Sequence, residues 1–368
     1  MTLIRATVIG VLALFVSVPA AVARVPRDFV GIDSAETFQN AFNNDMAAAA
    51  SDMRAQAATG IRIHRQLFNW ELIESERGVY DFSFLDRYMT EMAAHGMRVL
   101  PVLFDAPPWH EGEGQELDKG IHAPPTSGEP LGDFGAALVR RYGPSGSFWE
   151  GMPDRARRVS AIRAWQIWNE PNLRQYWGGD PSAREYVRVL KTVAKRIRAA
   201  DPKAEIVTAG IPQSTLFKAV PLRRYTRQMY KAGAKKWFDT FGLNAYAKNA
   251  KDCKRKVDLV RRVMNKRRDR RAKIWITEIG WADEGNRHYL VKGPRGQARQ
   301  IRKTIPLIAK LRKSRRIRGF IYYMWRDIVP THREGVDPDT WGWHAGLLRG
   351  DGTFKRAYRA FKEVVADL

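Results

Sequence analysis

The stretch "WQIWNEPNL", residues 165–173, is where the chain first indicates its fold. Its first part is typical of a strand that is buried on both faces, as in a parallel sheet covered by helices. The strand finishes on Asn169 and Glu170, and Pro171 favours extended backbone at the residue before it. A buried carboxylate costs free energy unless a partner or a reaction uses it. We therefore expect Glu170 to have a function at the carboxyl end of this strand.

A unit of strand, loop and amphipathic helix recurs from Val25 onward. The predicted strands are Phe29–Asp33, Ile61–Leu67, Met97–Leu103, Ile162–Asn169, Glu205–Ala209, Thr240–Tyr246, Lys273–Glu278 and Ile317–Trp325. The predicted helices that follow them are Asp45–Thr59, Phe82–His95, Leu131–Tyr142, Ala183–Ala200, Leu216–Ala232, Cys253–Arg268, Gln297–Lys313 and Phe354–Ala366. Eight units predict an α/β fold, a (β/α)8 TIM barrel that forms a single domain over residues 24–368 with enlarged βα loops. A doubly wound sheet is disfavoured because "GIDSAETFQN", after the first strand, lacks the G-x-G-x-x-G turn.

The first 23 residues have the order of a secretory signal peptide. Arg5 precedes an apolar stretch, and Ala21-Val22-Ala23 supplies the small residues of a cleavage site. An uncleaved membrane anchor is the alternative, because the apolar stretch approaches the length of a spanning helix. Pro19 and the Ala-x-Ala pattern favour cleavage after Ala23. We expect a secreted, periplasmic or cell-surface protein.

The composition predicts a globular protein with a large core. The hydrophobic content of 44% excludes a mainly disordered chain, and 368 residues suffice to bury a core without disulfides. Cys253 is the only cysteine, so no internal disulfide can form, and it lies in a basic predicted helix away from the motifs discussed below.

The formal net charge is +24, and the densest basic runs are "NKRRDRRAK" at 265–273 and "KLRKSRRIR" at 310–318. Both runs lie where a predicted helix ends and the next strand begins, which is the bottom of the barrel, opposite the mouth that carries active sites. We hypothesise that this face associates with an anionic cell envelope or another polyanion. A basic surface that is merely solvated is the alternative.

A second carboxylate occupies the matching position on another strand. The seventh predicted strand reads "KIWITEIGW", residues 273–281, and carries Glu278 at its carboxyl end. Reactive groups of such barrels lie at the carboxyl ends of the strands. Glu170 and Glu278 therefore form the kind of pair that cleaves glycosidic bonds, in which one group protonates the leaving oxygen and the other attacks or activates water.

The loop after the third strand, from Phe104 to Pro130, is long enough to be a lid or a binding surface. It contains His110, Glu111, Asp118 and His122, but their spacing fits no compact set of metal ligands. We expect neither a metal ion nor another cofactor.

The motifs "WNEP" and "TEIGW", at the ends of strands four and seven, resemble those of clan A glycoside hydrolases, notably families 5 and 39. The resemblance extends over nearly the whole chain, through "GIRIHRQLFNWELIE", "GVYDFSFLDRYM" and "GLLRGDGTFKRAYRAF". It implies that Glu170 is the acid/base, that Glu278 is the nucleophile and that the anomeric configuration is retained. Asn169 would then contact the sugar 2-hydroxyl.

The same resemblance assigns further positions. Arg65 on the second strand would hold the nucleophile ionised, because a nearby cation lowers the pKa of a carboxylate. Tyr246 would hydrogen-bond the nucleophile, and Trp325 would form the floor on which the reacting sugar stacks. Trp109 and His110 would line the same site.

One position departs from the pattern of the clan. Many members carry histidine two residues before the sixth-strand tyrosine, where this chain has Asn244. Asparagine also donates a hydrogen bond, so the departure affects the subsite contacts rather than excluding activity.

These expectations describe an exported, monomeric, retaining β-glycosidase that acts on a poly- or oligosaccharide. One alternative is a carbohydrate-binding barrel with weak or no catalysis, which the presence of both glutamates disfavours. The other alternative is a basic protein that binds a polyanion or nucleic acid. Aromatic residues would then be interleaved with the basic runs, and "NKRRDRRAK" has none, so no nucleic-acid partner is expected.

Overall fold

A computed structural model describes residues 25–111, 122–329, 337 and 339–368. Eight parallel strands close into a barrel in chain order. They are β1 (Val30–Asp33), β2 (Ile63–Asn69), β3 (Arg98–Phe104), β4 (Ala164–Asn169), β5 (Glu205–Gly210), β6 (Thr240–Asn244), β7 (Lys273–Ile279) and β8 (Ile317–Tyr322). The predicted (β/α)8 barrel is confirmed, whereas the predicted signal peptide lies outside the described residues.

Helices cover the outside of the barrel. They are Ala35–Phe42, Met46–Ala58, Trp70–Ile73, Ser83–Ala94, Gly128–Tyr142, Asp154–Ser160, Ala183–Ala200, Leu222–Lys231, Ala250–Lys266, Gly293–Arg315 and Arg356–Ala366. The fifth predicted helix was placed too early, since it begins at Leu222 rather than Leu216. Pro221 explains the difference, because a proline disfavours helical backbone at the residue before it.

The loops at the carboxyl ends of the strands are enlarged, as predicted. A two-stranded antiparallel hairpin, Glu74–Glu76 with Val79–Tyr80, lies in the loop after β2. The long loop after β3 begins with a 3₁₀ turn at Pro108–His110, and its residues 112–121, including Asp118, lie outside the described residues.

The barrel interior is a packed core and not a pore. Ile63, Leu100, Val207, Trp275 and Ile321 are buried together there, in a cluster separate from the larger core between strands and helices. Cys253 belongs to the larger core, and burial raises the pKa of its thiol to about 12. A buried thiol with a raised pKa is a poor nucleophile, so Cys253 has a structural role.

The two basic runs lie at the amino ends of β7 and β8, as predicted for the bottom of the barrel. They also touch each other, because Arg316 Nε donates to the carbonyl oxygen of Arg271 at 3.0 Å. Within the described part of the chain, no helix combines the length and the apolarity needed to cross a bilayer.

Gly31 on β1 offers a test of the interior packing. A Cβ at this position would lie 2.5 Å from Ile63 Cγ2 and 2.7 Å from Ile321 Cδ1. Gly31→Ala should therefore lower the free energy of unfolding by about 1–3 kcal/mol in urea titrations, the usual cost of overpacking. Gly179→Ala is the matched control, because a Cβ there meets nothing within 4 Å. Its effect should stay within about 0.5 kcal/mol, and equal effects at both positions would contradict the packed interior.

Candidate active site

Glu170 follows β4 directly, and its side chain is buried at the mouth of the barrel. The expectation of extended backbone at this residue is wrong, because its φ is 44°, in the left-handed region. Hydrogen bonds hold this strained turn in place. The Glu170 N–H donates to the carbonyl oxygen of Gly210 at 3.2 Å, and the Glu170 carbonyl accepts from the N–H of Leu173 at 2.9 Å. The turn ends the strand at Asn169.

Glu278 lies in β7 and is also buried. The pairing of β7 with β6 shifts by one residue here, so that Leu243 is opposite Ile276 but Asn244 is opposite Glu278. A shift of this kind changes the direction of the side chains that follow it. Here it brings the side chains of Glu278 and Thr277 next to residues of β6 and the loop after it.

Arg65 on β2 joins the site together. Its Nη1 lies 2.7 Å from Glu278 Oε1 and 2.9 Å from Asp33 Oδ2. Its Nη2 donates to Asn169 Oδ1, and its Nε donates to Gln166 Oε1, each at 2.9 Å. Burial works against the charged guanidinium, but the carboxylates of Glu278 and Asp33 outweigh it and raise the pKa of Arg65.

Tyr246 holds the other oxygen of Glu278. Its hydroxyl donates to Glu278 Oε2 at 2.7 Å. Arg65 and Tyr246 therefore fix the Glu278 carboxylate from two sides, which leaves little rotational freedom for the group. Both residues stand where the resemblance to clan A glycoside hydrolases placed them.

Asn244 contacts Glu170, which the sequence did not indicate. Its Nδ2 donates to Glu170 Oε1 at 2.6 Å. Thr277 Oγ1 donates to Asn244 Oδ1 at 2.8 Å and so fixes the orientation of the amide. Asn244, at the position where many clan members carry histidine, thus supplies a neutral hydrogen-bond donor that positions Glu170.

The environment of Glu170 favours its protonated form. Burial, reinforced by the negative charge of Glu278, raises the pKa of Glu170 to about 8, while the hydrogen bond from Asn244 and the charge of Arg65 oppose the rise. A carboxyl group that keeps its proton near neutral pH can serve as a general acid.

The assignment of Trp325 as a sugar-stacking floor is wrong. Strand β8 ends at Tyr322, and the Trp325 side chain is fully buried on the helix side of the barrel. Its indole N–H donates to Asp52 Oδ1 at 3.2 Å, and its ring packs edge-on against Tyr358. The strand ends three residues earlier than the predicted Ile317–Trp325.

Tyr323 is the aromatic residue that β8 brings to the site. Its ring centroid lies 6.0 Å from that of Tyr246 and 6.5 Å from that of Trp341. Burial, followed by the charges of Asp33 and Glu278, raises the pKa of its hydroxyl well above the usual value. The sequence "IYYMW" indicated that an aromatic residue follows this strand into the site. Which of its aromatic residues does so depends on where the strand ends, and the sequence does not show that.

Trp109 and His110 anchor the loop after β3. His110 Nε2 lies 3.0 Å from Glu74 Oε1, and the imidazole stacks on Trp70 with the ring centroids 4.7 Å apart. The carbonyl oxygen of Trp109 accepts from Arg77, and the residue is 36% exposed. These contacts show how the loop is held and leave the exposed indole of Trp109 available for a ligand.

Tyr176 is a further site residue that the sequence did not single out. It lies in a 3₁₀ turn after β4, and its ring stacks on His122, whose Nδ1 is 2.6 Å from Asp105 Oδ1. Burial, then the charges of Glu170 and Glu278, raise the pKa of the Tyr176 hydroxyl, which indicates that the tyrosine lies near both carboxylates.

Asn169 directly precedes Glu170 and is held by Arg65, which also binds Glu278. Its Oδ1 is occupied by Arg65, so its amide nitrogen is available to donate to a bound ligand. This geometry suits the predicted contact with a sugar hydroxyl.

One group of side chains among the described residues has the composition of a metal site. Glu284, Asp327 and His344 place one potential ligand atom each within 4.8 Å of the others. Lys355 Nζ already lies 2.6 Å from Asp327 Oδ2 and 2.5 Å from Asp283 Oδ1. An ammonium group therefore supplies the positive charge at this place, and the cluster adds no metal to the site at the barrel mouth.

Solved structures with similar barrels include several glycoside hydrolases. A family 39 glycoside hydrolase from Bacteroides cellulosilyticus WH2 is 17% identical, with a TM-score of 0.60 over 93% of this chain and 64% of that one. A monomeric beta-xylosidase from Caulobacter crescentus CB15 is 16% identical, with a TM-score of 0.65 over 93% of this chain and 69% of that one. Xylanase 10B from Thermotoga maritima is 15% identical, with a TM-score of 0.60 over 93% of this chain and 95% of that one.

The chain shares its (β/α)8 barrel with these glycoside hydrolases. The resemblance expressed by "WNEP" and "TEIGW" is confirmed in this respect, although sequence identities this low establish only the architecture. The chain spans 64% of the length of the Bacteroides enzyme. The sequence model of glycoside hydrolase family 42, described as beta-galactosidase, matches residues 40–106. A search of curated protein sequences finds no match.

The raised pKa of Glu170 predicts a pH-dependent stability. An unfolded glutamate loses its proton near pH 4.5, whereas the folded chain keeps it to about pH 8, so wild-type stability falls as the pH rises through this window. Glu170→Gln removes this loss. As the pH rises from 4.5 to 9, the free energy of unfolding of the variant should increase relative to that of wild type by on the order of 1–3 kcal/mol, measured by denaturant titration.

Glu76→Gln is the control for this measurement, because the Glu76 side chain is exposed to solvent. Its difference from wild type should be the same at both pH values. A Glu170→Gln variant whose difference from wild type is equally independent of pH would contradict the buried, proton-retaining environment.

Proposed function

We propose that this protein is an exported retaining β-glycosidase that cleaves a β-linked oligo- or polysaccharide. The observation that supports this most strongly is the pair of buried carboxylates at the ends of β4 and β7, held by different partners. Glu278 is bound by Arg65 and Tyr246, and Glu170 is bound by the neutral amide of Asn244. The barrel it shares with glycoside hydrolases supports the same reaction class.

The proposed reaction has two steps. In the first, Glu278 attacks the anomeric carbon while Glu170 gives its proton to the departing glycosidic oxygen, which produces a glycosyl ester and a free alcohol. In the second, Glu170 takes a proton from water, and the resulting nucleophile displaces Glu278. Two displacements at one carbon retain the anomeric configuration.

The surrounding residues support these roles. Arg65 neutralises the charge of Glu278 in a buried setting, where an unpaired carboxylate would be costly. The raised pKa of Glu170 keeps a proton available for the leaving group. Asn169 can donate to the sugar 2-hydroxyl, a contact that strengthens as positive charge develops on the sugar ring.

Export rests on the sequence of residues 1–23, with its charged start, apolar stretch and small-residue cleavage site. An exported protein with a net charge of +24 would meet anionic components of a cell envelope. We therefore include envelope association in the proposal.

Substitution of the nucleophile gives a direct test. Glu278→Gly should lower kcat for an aryl β-glycoside on the order of 10⁴-fold or more, because the residue acts in both steps. Azide should restore turnover and give a glycosyl azide of inverted configuration, detected by NMR. Glu170→Gln is the comparison variant, since loss of the acid should impair substrates with poor leaving groups most.

A panel of aryl β-glycosides and polysaccharides should be used, because the sugar is not specified in advance. A folded Glu278→Gly variant that azide does not rescue on any substrate cleaved by the wild type would contradict the nucleophile assignment. A wild-type protein that binds sugars from the panel without cleaving any would favour the carbohydrate-binding alternative.

The revised position of the aromatic floor makes a separate prediction. Tyr323→Ala should lower kcat/KM about tenfold through lost ring contact with the sugar. Trp325→Phe should instead lower the free energy of unfolding by about 1–3 kcal/mol, because it leaves Asp52 with one donor fewer in a buried site, and KM should not change. A loss of kcat/KM in Trp325→Phe with no loss in Tyr323→Ala would contradict this prediction and would place Trp325 in the site.

A further inference from the structure

A cationic groove lies on the flank of the barrel, between the neighbouring helices Leu222–Lys231 and Ala250–Lys266. Its main cavity has a volume of about 560 Å³, and a second cavity of about 450 Å³ continues it. The first helix contributes four cations, Arg223, Arg224, Arg227 and Lys231. The second helix and the residue after it contribute three, Arg262, Lys266 and Arg267.

None of these seven side chains has a carboxylate partner among the described residues, and no acidic residue is among those that line the two cavities. Elsewhere on the same side of the barrel Arg315 pairs with Asp258 at 2.6 Å, and Arg318 pairs with Asp28 at 3.0 Å. Like charges that face one another across a groove repel, and the repulsion destabilises the folded state. A bound anion would remove this cost.

The helix dipole adds to the positive potential. Arg223 and Arg224 lie in the first turn of their helix, where the backbone already presents positive charge and where this helix has no acidic residue. Cations are disfavoured at that end of a helix unless an anion is bound nearby. The placement therefore suits a ligand better than it suits the stability of the free protein.

The cations form rows. Arg223, Arg227 and Lys231 are four residues apart in sequence, as are Arg262 and Lys266 on the facing helix. A rise of 1.5 Å per residue separates the members of each row by about 6 Å. Such rows suit a linear polymer that carries one anionic group per repeat unit. Arginine can bind those groups through two parallel hydrogen bonds.

The floor of the groove narrows the choice of polymer. Leu259 and Val263 lie between the rows of cations and give it an apolar base. A sugar ring presents C–H groups that can pack on such a base while its acidic groups reach the arginines. No aromatic side chain is among the residues that line the two cavities, so nucleic-acid bases would have no ring to stack on. A concave groove between two helices also admits a single chain more readily than a flat bilayer.

We propose that this groove binds a linear acidic polysaccharide. The proposal names the partner of the envelope association described above. It extends the site from the basic run at 265–273, which contributes Lys266 and Arg267, to the flank of the barrel. It rests on the proposed export of the protein but not on hydrolysis, because the groove lies on the outside of the barrel, away from Glu170 and Glu278.

The test compares two variants that lose the same charge. The groove variant combines Arg227→Gln, Arg262→Gln and Lys266→Gln. The control variant combines Arg299→Gln, Lys303→Gln and Lys310→Gln, three exposed cations of the helix Gly293–Arg315 on another flank. Affinity for polygalacturonate is measured by calorimetry in low salt, with duplex DNA and anionic phospholipid vesicles as further probes.

The groove variant should bind polygalacturonate at least tenfold more weakly than wild type, and the control variant less than twofold. Saturating polygalacturonate should raise the Tm of the wild type and of the control but not that of the groove variant. Equal weakening in both variants would overturn the groove as a site, since only diffuse charge would then act. Tighter binding of DNA or vesicles than of polygalacturonate, lost in the groove variant, would overturn the assigned partner.

This readout is independent of catalysis. Binding measured at equilibrium does not require Glu170 or Glu278 to act, so a protein that fails every hydrolysis assay could still bind through the groove. An active enzyme whose two variants bind polygalacturonate equally would leave the proposed hydrolysis intact and remove only the groove.

Discussion

The buried guanidinium of Arg65 is the interaction on which the mouth of this barrel depends. It reaches Asp33 on β1, Gln166 and Asn169 on β4, and Glu278 on β7. A charge removed from water is costly unless every donor finds a partner, and here the donors are distributed over strands from opposite parts of the barrel. The arrangement requires those strands to be in register, so closure of the barrel and the geometry of the site are coupled.

The same arginine separates the roles of the two glutamates. Glu278 receives a charged partner and a tyrosine hydroxyl, whereas Glu170 receives the neutral amide of Asn244 and the full cost of burial. Two carboxyl groups in one site with environments this different provide one proton donor and one carboxylate. The chemistry proposed for this chain follows from that asymmetry more than from the presence of two acidic residues.

The sequence predicted the features that strand pattern and strand ends control. The eight units and the positions of Glu170 and Glu278 depend on which residue closes each strand, and strongly apolar strands make those ends visible. The contacts of Arg65 and Tyr246 were implied by the resemblance to clan A glycoside hydrolases. The assignment of Trp325 to the site was wrong because β8 ends at Tyr322. The pattern "YYMW" does not show where the pairing of this strand with its neighbours stops. The prediction of extended backbone at Glu170 was wrong because tertiary hydrogen bonds overrode the local effect of Pro171 and stabilise a left-handed turn. The role of Asn244 could not be read from its own strand, since it depends on a register shift on the next one.

The distribution of charge could also be predicted only in part from the sequence. Along the chain, the densest basic runs point to the bottom of the barrel, and the structure agrees on their position. The groove on the flank combines residues from two helices about 40 positions apart, so no window of the sequence reveals it. The mouth, where the carboxylates lie, and the cationic flank are thus separate surfaces, one suited to chemistry and the other to attachment.

Covalent labelling of the Glu278 carboxylate would test directly whether Glu278 is the nucleophile and Glu170 the acid/base. A panel of 2-deoxy-2-fluoro glycosides with activated leaving groups should form a long-lived ester with the nucleophile, and peptide mass spectrometry should find the added sugar on the peptide that contains Glu278. Wild type and Glu170→Gln should both be labelled, because an activated leaving group needs no acid. Label on Glu170 instead, or turnover of the matching substrate with no labelled carboxylate, would contradict the mechanism.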